Sequence, residues 1–526
     1  MPAQPDHRPA APLYGPLRTL IRALLGVFFR RVRTTGEELL PPDGPLLLVG
    51  NHPNSLLDPA VLIVATERPV LFAAKEDLFD NPGLRPILRG VGAVPIRRRI
   101  AADGKVDAAA ISAPVRVDNS AAFTAMHGLL AAGGAIGIFP EGLSHDEAQL
   151  QPLRTGAARL ALATPIGSAP LPIVPVGLNY SAPKRFRSNV LVRYGPPIWI
   201  DDIRREAFAA DAKAAGRALT EEIDLALRAL TINAEDWDTL RVLETVRRLY
   251  QPPGLSLEAR VELARRFAAG YEQVRDRPDV RALFDAVRQF RERLDAIDLG
   301  ERDLAQDWRF RTVLARFWRR SGRALLWLPL ALPGLLLHLP AALLAGLVGR
   351  LATPRRDVVA TTKLLVGLAL VVATWVACAV LLWQYGTQPP LTLALWQVAA
   401  LLPLLPLSGW AALRLVERYA DARELLLSMV AYLRYRREVA ALRRERRLLE
   451  AAVVRAVVRH LPADLEPLFL EASAERLGGL GDAELPDAAD RRDAEIAAAA
   501  MDAAGVPSDA SLRWLVAFDE LLGEDR

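Results

Sequence analysis

Three long stretches without a charged side chain set the strongest limit on how this chain can fold. They cover residues 324–349, 364–384 and 391–413, and they are 26, 21 and 23 residues long. Because about 20 apolar residues in a helix cross a hydrocarbon layer of roughly 30 Å, each is long enough to span a membrane. Buried core helices of a soluble protein are the alternative, but three such stretches together favour a membrane protein.

The first stretch differs from the other two in its prolines and its flanks. It contains Pro329, Pro333 and Pro340, and clusters of arginine precede and follow it. Since arginine-rich flanks prefer the cytoplasmic side, a single crossing would translocate one of these clusters. We therefore predict a re-entrant or interfacial helical hairpin for residues 324–349.

The second and third stretches have the flanks of a transmembrane pair. Residues 385–390, which join them, carry no charge, whereas Lys363 and Arg414 lie at their far ends. The simplest topology crosses the membrane and returns, which leaves both large soluble parts in the cytoplasm. The expected location is the cytoplasmic (inner) membrane, with the soluble domains facing the cytoplasm.

The rest of the 526-residue chain is long enough for two or three units. Residues 34–202 alternate short apolar runs with helical patterns, which predicts an α/β domain whose active groups lie on loops at strand ends. Residues 203–323 are rich in Ala, Arg, Glu and Leu at helical spacing, which predicts a helical region. The runs predicted as strands are 46–49, 70–73, 135–139, 173–176 and 190–192, and the helices are 59–66, 120–132 and 155–163.

The segments before the α/β domain and after the apolar stretches differ from one another in charge. Residues 1–33 predict an amphipathic helix on a membrane surface, with a core-packing helix as the equal alternative. Residues 414–460 predict a basic helix, either solvated or in contact with anionic headgroups. Residues 461–526 carry sixteen Asp and Glu against five Lys and Arg, which predicts an acidic, partly disordered tail.

Charge and cysteine content restrict the classes of partner. The net charge is +5, so residues 1–460 carry +16 once the acidic tail is set apart. This basic body suits an anionic lipid surface or a phosphate-bearing substrate. No aromatic-rich motif accompanies it, so no nucleic acid is expected as a partner. The single cysteine, Cys378, excludes intrachain disulfides and cysteine metal clusters.

A histidine and an aspartate stand close together just after the first predicted strand of the α/β domain. They are His52 and Asp58 in the stretch Gly-Asn-His-Pro-Asn-Ser-Leu-Leu-Asp-Pro, residues 50–59. An imidazole titrates near neutral pH and a carboxylate can fix its tautomer, so the pair suits a general base and its orienting group. Taken alone, a hydrogen-bonded cap in a turn is the more common role for such a pair.

Three further stretches carry groups suited to phosphate chemistry. Residues 92–99 end in Arg97, Arg98 and Arg99, whose guanidinium groups can bind phosphate. Residues 138–156 contain Phe-Pro-Glu-Gly, Ser-His-Asp and, further on, Arg154. Residues 174–180 form an apolar strand with a glycine, which is also typical of an edge strand with a bulge.

In this order and spacing the four stretches resemble the motifs of the PlsC-type glycerolipid acyltransferases. The Phe-Pro-Glu-Gly and Ser-His-Asp residues, with 230–240 and 247–252, are similar to the yeast-type glycerol-3-phosphate and dihydroxyacetone-phosphate acyltransferases and their bacterial relatives. The resemblance covers residues 35–255 well and the membrane region in outline. It implies an α/β acyltransferase domain with a mixed sheet flanked by helices, then a helical region and membrane-embedded helical hairpins.

The resemblance also implies roles for single residues. His52 is the expected base and Asp58 its orienter, although five residues separate them here and four in the family at large. Acceptor attack is direct, because no serine or cysteine stands in a nucleophile-elbow context. No metal site is expected. The residues expected to bind substrate are Asn54, Ser55, Arg97, Arg98, Glu141, Gly142, Ser144 and Arg154.

The expected activity is transfer of a fatty acyl group from an acyl thioester to glycerol 3-phosphate in phospholipid biosynthesis, with dihydroxyacetone phosphate as a related acceptor. The donor is acyl-CoA or acyl-carrier protein, and no other cofactor is expected. The partners are this donor, the glycerol phosphate acceptor and membrane lipids. Transfer to lysophosphatidic acid or another lysolipid is the nearest alternative, a non-catalytic lipid-binding scaffold is the second, and a soluble hydrolase is the third.

Overall fold

The computed structural model describes residues 13–97, 119–165, 170–251, 255–297, 327–351, 355–388 and 394–460, with a few single residues between these ranges. The chain forms two compact units. The first holds the chain up to Asn233 together with Leu347–Val366, and the second holds Ala234–Gly346 and the chain from Gly367 onward. The predictions for Arg98 and for the tail 461–526 lie outside the described residues.

The described residues of the first unit form an eight-stranded sheet, and the prediction of a mixed sheet is confirmed. Its order is β1-β7-β6-β2-β5-β3-β4, and β8 also pairs with β6. The pairs β6–β7 and β6–β8 are antiparallel, and the other neighbours are parallel. The strands are β1 (Arg31–Thr35), β2 (Leu46–Gly50), β3 (Val70–Lys75), β4 (Val94–Ile96), β5 (Ala135–Ile138), β6 (Leu171–Tyr180), β7 (Asn189–Tyr194) and β8 (Ile198–Ile200).

In the part of the first unit that the structure describes, seven α-helices from α1 to α7 accompany this sheet, and the three helices predicted in residues 34–202 are among them. The helices are α1 (Tyr14–Phe28), α2 (Leu57–Ala65), α3 (Leu84–Gly90), α4 (Ser120–Ala131), α5 (Gly156–Ala163), α6 (Asp202–Ala210) and α7 (Ala212–Arg228). The central strand β2 sends Leu46 and Leu48 to the core shared with α1 and α2, and Leu47 and Val49 to the core shared with α4, α5 and α7. Both faces of the sheet are therefore covered, which suits a largely parallel sheet.

Helix α1 packs into the core of the first unit. This agrees with the core-packing helix that the sequence offers as the alternative to a membrane-surface helix. Leu25 and Phe28 are buried in the core beside α2. Arg18 donates hydrogen bonds to the carbonyls of Ile63 (3.0 Å) and Thr66 (2.6 Å), which cap the C-terminal end of α2. The proposed boundary at residue 33 therefore does not separate a domain.

The predicted end of the α/β domain at residue 202 is too early. Helix α7 is amphipathic and buries Leu219, Ile223 and Leu227 against the sheet, so the first unit continues to Asn233. A periodic apolar face shows that a helix packs on something, but not on which partner. Leu347–Val366 also joins this unit, a contact between distant parts of the chain that local pattern does not reveal.

The described part of the predicted helical region 203–323 consists of α-helices joined by short loops, with no strand. Beyond α6 and α7 it contains α8 (Trp237–Tyr250), α9 (Leu257–Val274) and α10 (Pro278–Ala296). Asp236 caps α8 by accepting from the backbone N–H of Thr239 at 2.7 Å.

Three helices are long and apolar enough to cross a membrane: Leu328–Leu351, Arg356–Gly386 and Leu395–Tyr419, with 24, 31 and 25 residues. The chain associates with a membrane through them. The regular α-helices in this region are α11 (Leu328–Leu351), α12 (Val359–Gly386), α13 (Leu395–Leu401) and α14 (Leu404–Arg434). The predicted span 391–413 is thus interrupted around Pro403, because proline ends a run of regular backbone hydrogen bonds.

The hairpin predicted within residues 324–349 is wrong, because α11 is one continuous helix with Pro333 and Pro340 inside it. Arginine flanks bias which side of a membrane a segment faces, but they do not bend a helix. The partner of α11 is α12, since Gly349 lies against Lys363, Gly367 against Ala345, and His338 accepts a hydrogen bond from Trp375 at 2.8 Å. Contacts in this reversed order are those of antiparallel neighbours.

The predicted basic helix 414–460 consists of two helices, because α14 continues to Arg434 and α15 runs over Arg436–His460. Helix α15 packs against α8 and α10. It buries Leu442 and Leu449, and its Glu445 forms an ion pair with Arg293 of α10. One face of this arginine-rich helix is therefore part of the core of the second unit.

Candidate active site

The candidate site lies where β2, β5 and β6 end. Strand β2 runs parallel to both β5 and β6, so the loops after Gly50, Ile138 and Tyr180 emerge at the same edge of the sheet. In open α/β sheets this edge, at the carboxyl ends of the strands, is where ligands bind. Two of the motif stretches found in the sequence follow β2 and β5, and the 174–180 stretch forms the end of β6.

His52 and Asp58 form a hydrogen-bonded pair. The Nδ1 atom of His52 lies 2.8 Å from Oδ2 of Asp58, and the Asp58 side chain is completely buried. The His52 side chain is 11% exposed. An Nδ1–H that donates to the carboxylate leaves Nε2 as the ring atom able to accept a proton.

The turn between the two residues accommodates the five-residue spacing. Ser55 has a left-handed backbone with φ of 48°, and the N–H of Asp58 donates to the Ser55 carbonyl at 3.2 Å. The N–H of Leu57 donates to the carbonyl of Asn54 at 3.1 Å. These tight turns return the chain so that Asp58, in the first turn of α2, reaches the ring of His52.

Two more donors hold the carboxylate of Asp58. The hydroxyl of Tyr180 donates to Oδ1 at 2.6 Å, and the N–H of Asn54 donates to Oδ2 at 2.7 Å. Burial raises the pKa of the Asp58 carboxyl, while His52, Tyr180 and Asn54 act in the opposite direction. Burial and the neighbouring carboxylate raise the pKa of Tyr180 well above its usual value, so Tyr180 remains a donor.

Stacking and backbone contacts fix the ring and the main chain around His52. Phe139 stacks on the imidazole with ring centroids 4.2 Å apart and an interplanar angle of 10°. The side-chain amide of Asn51 continues the hydrogen bonding between β2 and β6. It donates to the Leu178 carbonyl at 3.1 Å and accepts from the Leu178 N–H at 2.7 Å.

Glu141 organises the loop after β5. Its buried carboxylate accepts from the N–H of His52 (2.7 Å), from the N–H of Gln151 (2.8 Å) and from Nε2 of His145. These three donors occupy both oxygens of the carboxylate. Among the contacts described, Glu141 therefore holds the backbone of the candidate base.

His145 makes a second link between this loop and His52. Its N–H donates to the carbonyl of His52 at 3.2 Å, so the loop binds both polar backbone groups of His52. Burial alone lowers the pKa of His145, but Glu141, Glu147 and Asp357 outweigh it and raise the pKa. The N–H of Glu147, 3.2 Å from Nδ1, acts against this because it favours an unprotonated Nδ1. The three carboxylates are the larger influence.

Gly142 and Arg154 are brought together above the Phe139–Gly142 turn. Gly142 has φ of +77°, and its N–H closes the turn on the Phe139 carbonyl at 3.0 Å. A Cβ at Gly142 would lie 2.7 Å from Cδ and Nε of Arg154, so any other residue at this position would displace the Arg154 side chain from the place it occupies here. The exposed guanidinium of Arg154 has no hydrogen-bond partner among the residues that the structure describes.

The other residues expected to bind substrate have protein partners. Asn54 is buried and its side chain donates to the Pro183 carbonyl at 3.0 Å, and Ser144 donates to Asp357 at 2.5 Å. Arg97 pairs with Glu76 at 2.8 Å at the end of β4. The structure thus gathers eight of these residues in the loops after β2 and β5 and in the first turn of α2, and it places Arg97 at the end of β4; the eight are His52, Asp58, Asn54, Ser55, Glu141, Gly142, Ser144 and Arg154.

Several residues of the site had no role assigned from the sequence. Tyr180, Asn51 and Phe139 all stand inside the motif stretches, so their position beside polar motif residues was the available signal. His145 belongs to the adjacent run Ser144–Asp146, and side chains that are adjacent in sequence rarely converge on one point, so the sequence alone assigns it no role. Its four-residue distance from Glu141 is the local signal for the pair.

The arrangement can accept a proton at His52 Nε2 while Asp58 stabilises the resulting imidazolium. Arg154 offers an exposed positive charge near Glu141. In the described part of the chain, no group of three or more His, Cys, Asp or Glu side chains is placed to hold a metal ion.

Known families and proteins match this chain in two regions. The acyltransferase family profile matches residues 31–179, and the profile described as the glycerol-3-phosphate acyltransferase 2 C-terminal domain matches residues 242–464. The first match contains the His52–Asp58 pair and Glu141. The second begins within α8 and continues past the end of α15, so it includes the helices able to cross a membrane.

Three relatives illustrate the match. An uncharacterised acyltransferase of Schizosaccharomyces pombe is 26% identical over 80% of this chain and 77% of its own length. Glycerol-3-phosphate O-acyltransferase 2 of Saccharomyces cerevisiae is 32% identical over a match that covers 51% of this chain and 38% of the yeast protein. A 1-acyl-sn-glycerol-3-phosphate acyltransferase of Borreliella burgdorferi is 25% identical over 35% of this chain and 65% of its own.

These matches agree with the order of the motifs and with the geometry at the strand ends. The predicted resemblance is confirmed, and with it the class of reaction. The chain is an acyltransferase, and it resembles the PlsC-type glycerolipid acyltransferases through the acyltransferase profile that matches residues 31–179 and the glycerol-3-phosphate acyltransferase 2 C-terminal profile that matches residues 242–464.

Proposed function

We propose that this protein transfers a fatty acyl group from an acyl thioester to glycerol 3-phosphate in phospholipid biosynthesis. The observation that carries the proposal is the His52–Asp58 pair, with Nδ1 and Oδ2 2.8 Å apart at the carboxyl end of the sheet. The similarity to a yeast glycerol-3-phosphate O-acyltransferase supports this choice of acceptor. The donor is acyl-CoA or acyl-carrier protein, and the transfer uses no further cofactor.

The proposed reaction is a direct attack in which His52 moves one proton. Nε2 of His52 takes the proton of the acceptor hydroxyl as its oxygen attacks the thioester carbonyl. The tetrahedral intermediate then collapses, the carbon–sulfur bond breaks, and the imidazolium returns the proton to the leaving thiolate. Asp58 stabilises the imidazolium between these steps, and Tyr180 and Asn54 hold Asp58 in place.

Arg154 is the proposed main contact for the acceptor phosphate, because its guanidinium is exposed and lies over Gly142. Arg97 can assist if phosphate displaces Glu76, and Arg98 is a third candidate from the sequence. Asn54, Ser55 and Ser144 support the site through the loops that they hold. We place the protein in the cytoplasmic membrane with its soluble parts facing the cytoplasm.

The test of the acceptor uses the purified full chain with labelled acyl-CoA or acyl-carrier protein. Glycerol 3-phosphate, dihydroxyacetone phosphate and lysophosphatidic acid are supplied separately, and the products are separated. We expect glycerol 3-phosphate to give the highest kcat/KM. Exclusive use of a lysolipid would replace the proposal with the activity named for the Borreliella relative.

The test of the base is His52→Ala in the same assay. We expect a loss of about 10³-fold or more in kcat, since general-base catalysis contributes about 10²–10⁴-fold and Asp58 loses its partner as well. The variant should still fold and enter the membrane fraction. Retained turnover would remove His52 as the base, and a wild-type chain without any transfer would favour a lipid-binding scaffold.

A further inference from the structure

A short segment between α11 and α12 contacts the loop that follows β5, although more than two hundred residues separate them in sequence. The Oγ of Ser144 donates to Oδ2 of Asp357 at 2.5 Å. Arg355 donates to the carbonyl of Ser144 at 2.7 Å and to Oδ2 of Asp357 at 2.7 Å. The two residues of the segment therefore bind both the side chain and the backbone of Ser144.

This contact is buried and continues into the core of the first unit. Asp357 is 5% exposed and Ser144 is 8% exposed. A buried carboxylate is tolerated when it is paired, and Arg355 supplies the opposite charge. The next turn buries Ala360 in the core that holds α2, and Lys363 donates to the Lys184 carbonyl at 3.1 Å. The first turns of α12 are thus fixed to the acyltransferase domain.

The same loop binds His52 at its other side. Glu141 accepts from the N–H of His52, and the N–H of His145 donates to the His52 carbonyl. Ser144 stands between these two residues in sequence. The loop therefore connects Asp357 to the backbone of His52 indirectly, because Asp357 binds Ser144 and the neighbouring loop residues bind His52. None of the contacts described for Asp357 is to the ring of His52.

We propose that Asp357, oriented by Arg355, is a positioning residue for acyl transfer, because it fixes the Glu141–His145 loop that holds the backbone of His52. The inference rests on the proposed role of His52 as the base. It also assigns Ser144 a role in this linkage and not in direct contact with substrate. The connection between α11 and α12 is then part of the catalytic unit.

The test compares Asp357→Asn, Ser144→Ala and the double variant in the full chain, purified in detergent. Each single change should lower kcat about 10-fold while the KM values for donor and acceptor stay within about twofold, since small misplacement of a base mainly affects the reacting complex. The double variant should lose no more than either single variant, because both changes break one linkage. Arg356→Ala is the matched control: this exposed neighbour should keep kcat within about twofold.

A kcat within twofold of wild type for Asp357→Asn would overturn the inference, as would single losses that multiply to about 100-fold in the double variant. A rise in KM for the acceptor after Ser144→Ala, without a fall in kcat, would return Ser144 to substrate binding. Thermal melting checks the fold, and if Asp357→Asn does not fold, Ser144→Ala alone decides because it leaves the Arg355–Asp357 pair intact. The series uses whichever acceptor the wild type prefers, so a different acceptor changes the proposed substrate and leaves this test valid.

Discussion

Ser55 determines how the candidate base and its orienting carboxylate meet. Its left-handed backbone, with φ of 48°, costs roughly 1–2 kcal/mol for a residue with a Cβ. The surrounding turn supports this conformation through the backbone bonds that Asn54 and Ser55 accept. The sequence identifies both partners, His52 and Asp58. Whether Asp58 reaches the ring of His52 across five intervening residues depends on the φ angle of Ser55, which residue type does not determine.

His145 gives the site a predictable dependence of stability on pH. Its pKa is raised in the folded protein, so the folded state binds this proton more tightly than the unfolded state. The contribution of His145 to stability is therefore complete below about pH 6.5, its usual pKa, and is lost as the pH rises through the folded value. The difference in melting temperature between wild type and His145→Gln should be largest at low pH and shrink above about pH 6.5.

His127 is the matched control for this measurement, because burial lowers its pKa. Its folded state binds the proton less tightly, so the difference in melting temperature between wild type and His127→Gln should grow as the pH rises from the lowered folded pKa to about 6.5 and stay constant above it. Opposite slopes for the two histidines are the expected result. A flat difference for His145→Gln would show that the three carboxylates do not hold its proton.

The loop between β5 and α5 depends on Gly142 for two reasons, which substitution can separate. Gly142→Ala adds a Cβ at φ of +77° and also places it 2.7 Å from the Arg154 side chain. Gly44→Ala adds a Cβ at φ of +79° with nothing within 4 Å, so it carries only the backbone cost of about 1 kcal/mol. If Arg154 binds the acceptor phosphate, Gly142→Ala should raise the KM for glycerol 3-phosphate about 10-fold, and Gly44→Ala should leave it unchanged.

Steady-state kinetics and thermal melting of both variants check this expectation. Similar losses of melting temperature would match the shared backbone cost, and only the Gly142 variant should show the change in KM. Equal KM values for the two variants would mean that the position of Arg154 does not matter for the acceptor.

The packing of α11 against α14 can be tested through its glycines. A Cβ at Gly334 would overlap the backbone of Ser408, with the carbonyl carbon 2.5 Å away, whereas a Cβ at Gly346 on the same helix would meet nothing within 4 Å. Small residues let membrane helices approach closely, and overpacking costs about 1–3 kcal/mol. Gly334→Ala should lower the melting temperature in detergent by several degrees, and Gly346→Ala should leave it unchanged or slightly higher. Equal melting temperatures would show that α11 and α14 do not pack through Gly334.

At the scale of elements, the sequence predicted the features that depend on local pattern, namely the positions of strands and of apolar helices. Apolar runs located strands such as β2, and uncharged length located the helices able to cross a membrane. The sequence did not predict that α7 covers the sheet, that α11 pairs with α12, or that Asp357 reaches Ser144. Each of these depends on which partner an element meets, and a periodic pattern carries no information about the partner.

At the scale of the whole molecule, the membrane helices determine which parts of the chain lie on the same side of the membrane as the candidate active site. Arg355 and Asp357 are packed on the acyltransferase domain, so this end of α12 must lie on the same side of the membrane as His52. In the proposed topology, Arg356–Gly386 carries the chain to the other side and Leu395–Tyr419 brings it back, since both helices are long and apolar enough to cross. Residues near Gln388 are then separated by the membrane from the substrates of the domain.

Single cysteines can test this topology, because Cys378 is the sole cysteine of the chain. In a Cys378→Ser background, Arg356→Cys, Gln388→Cys and Arg437→Cys each place one thiol at an exposed position. In sealed right-side-out vesicles of the cytoplasmic membrane, an impermeant maleimide should label only the Gln388 variant, and after lysis it should label all three. Labelling of the Arg356 and Gln388 variants from the same side would show that α12 does not cross, whereas a reversed pattern would place the acyltransferase domain outside the cytoplasm.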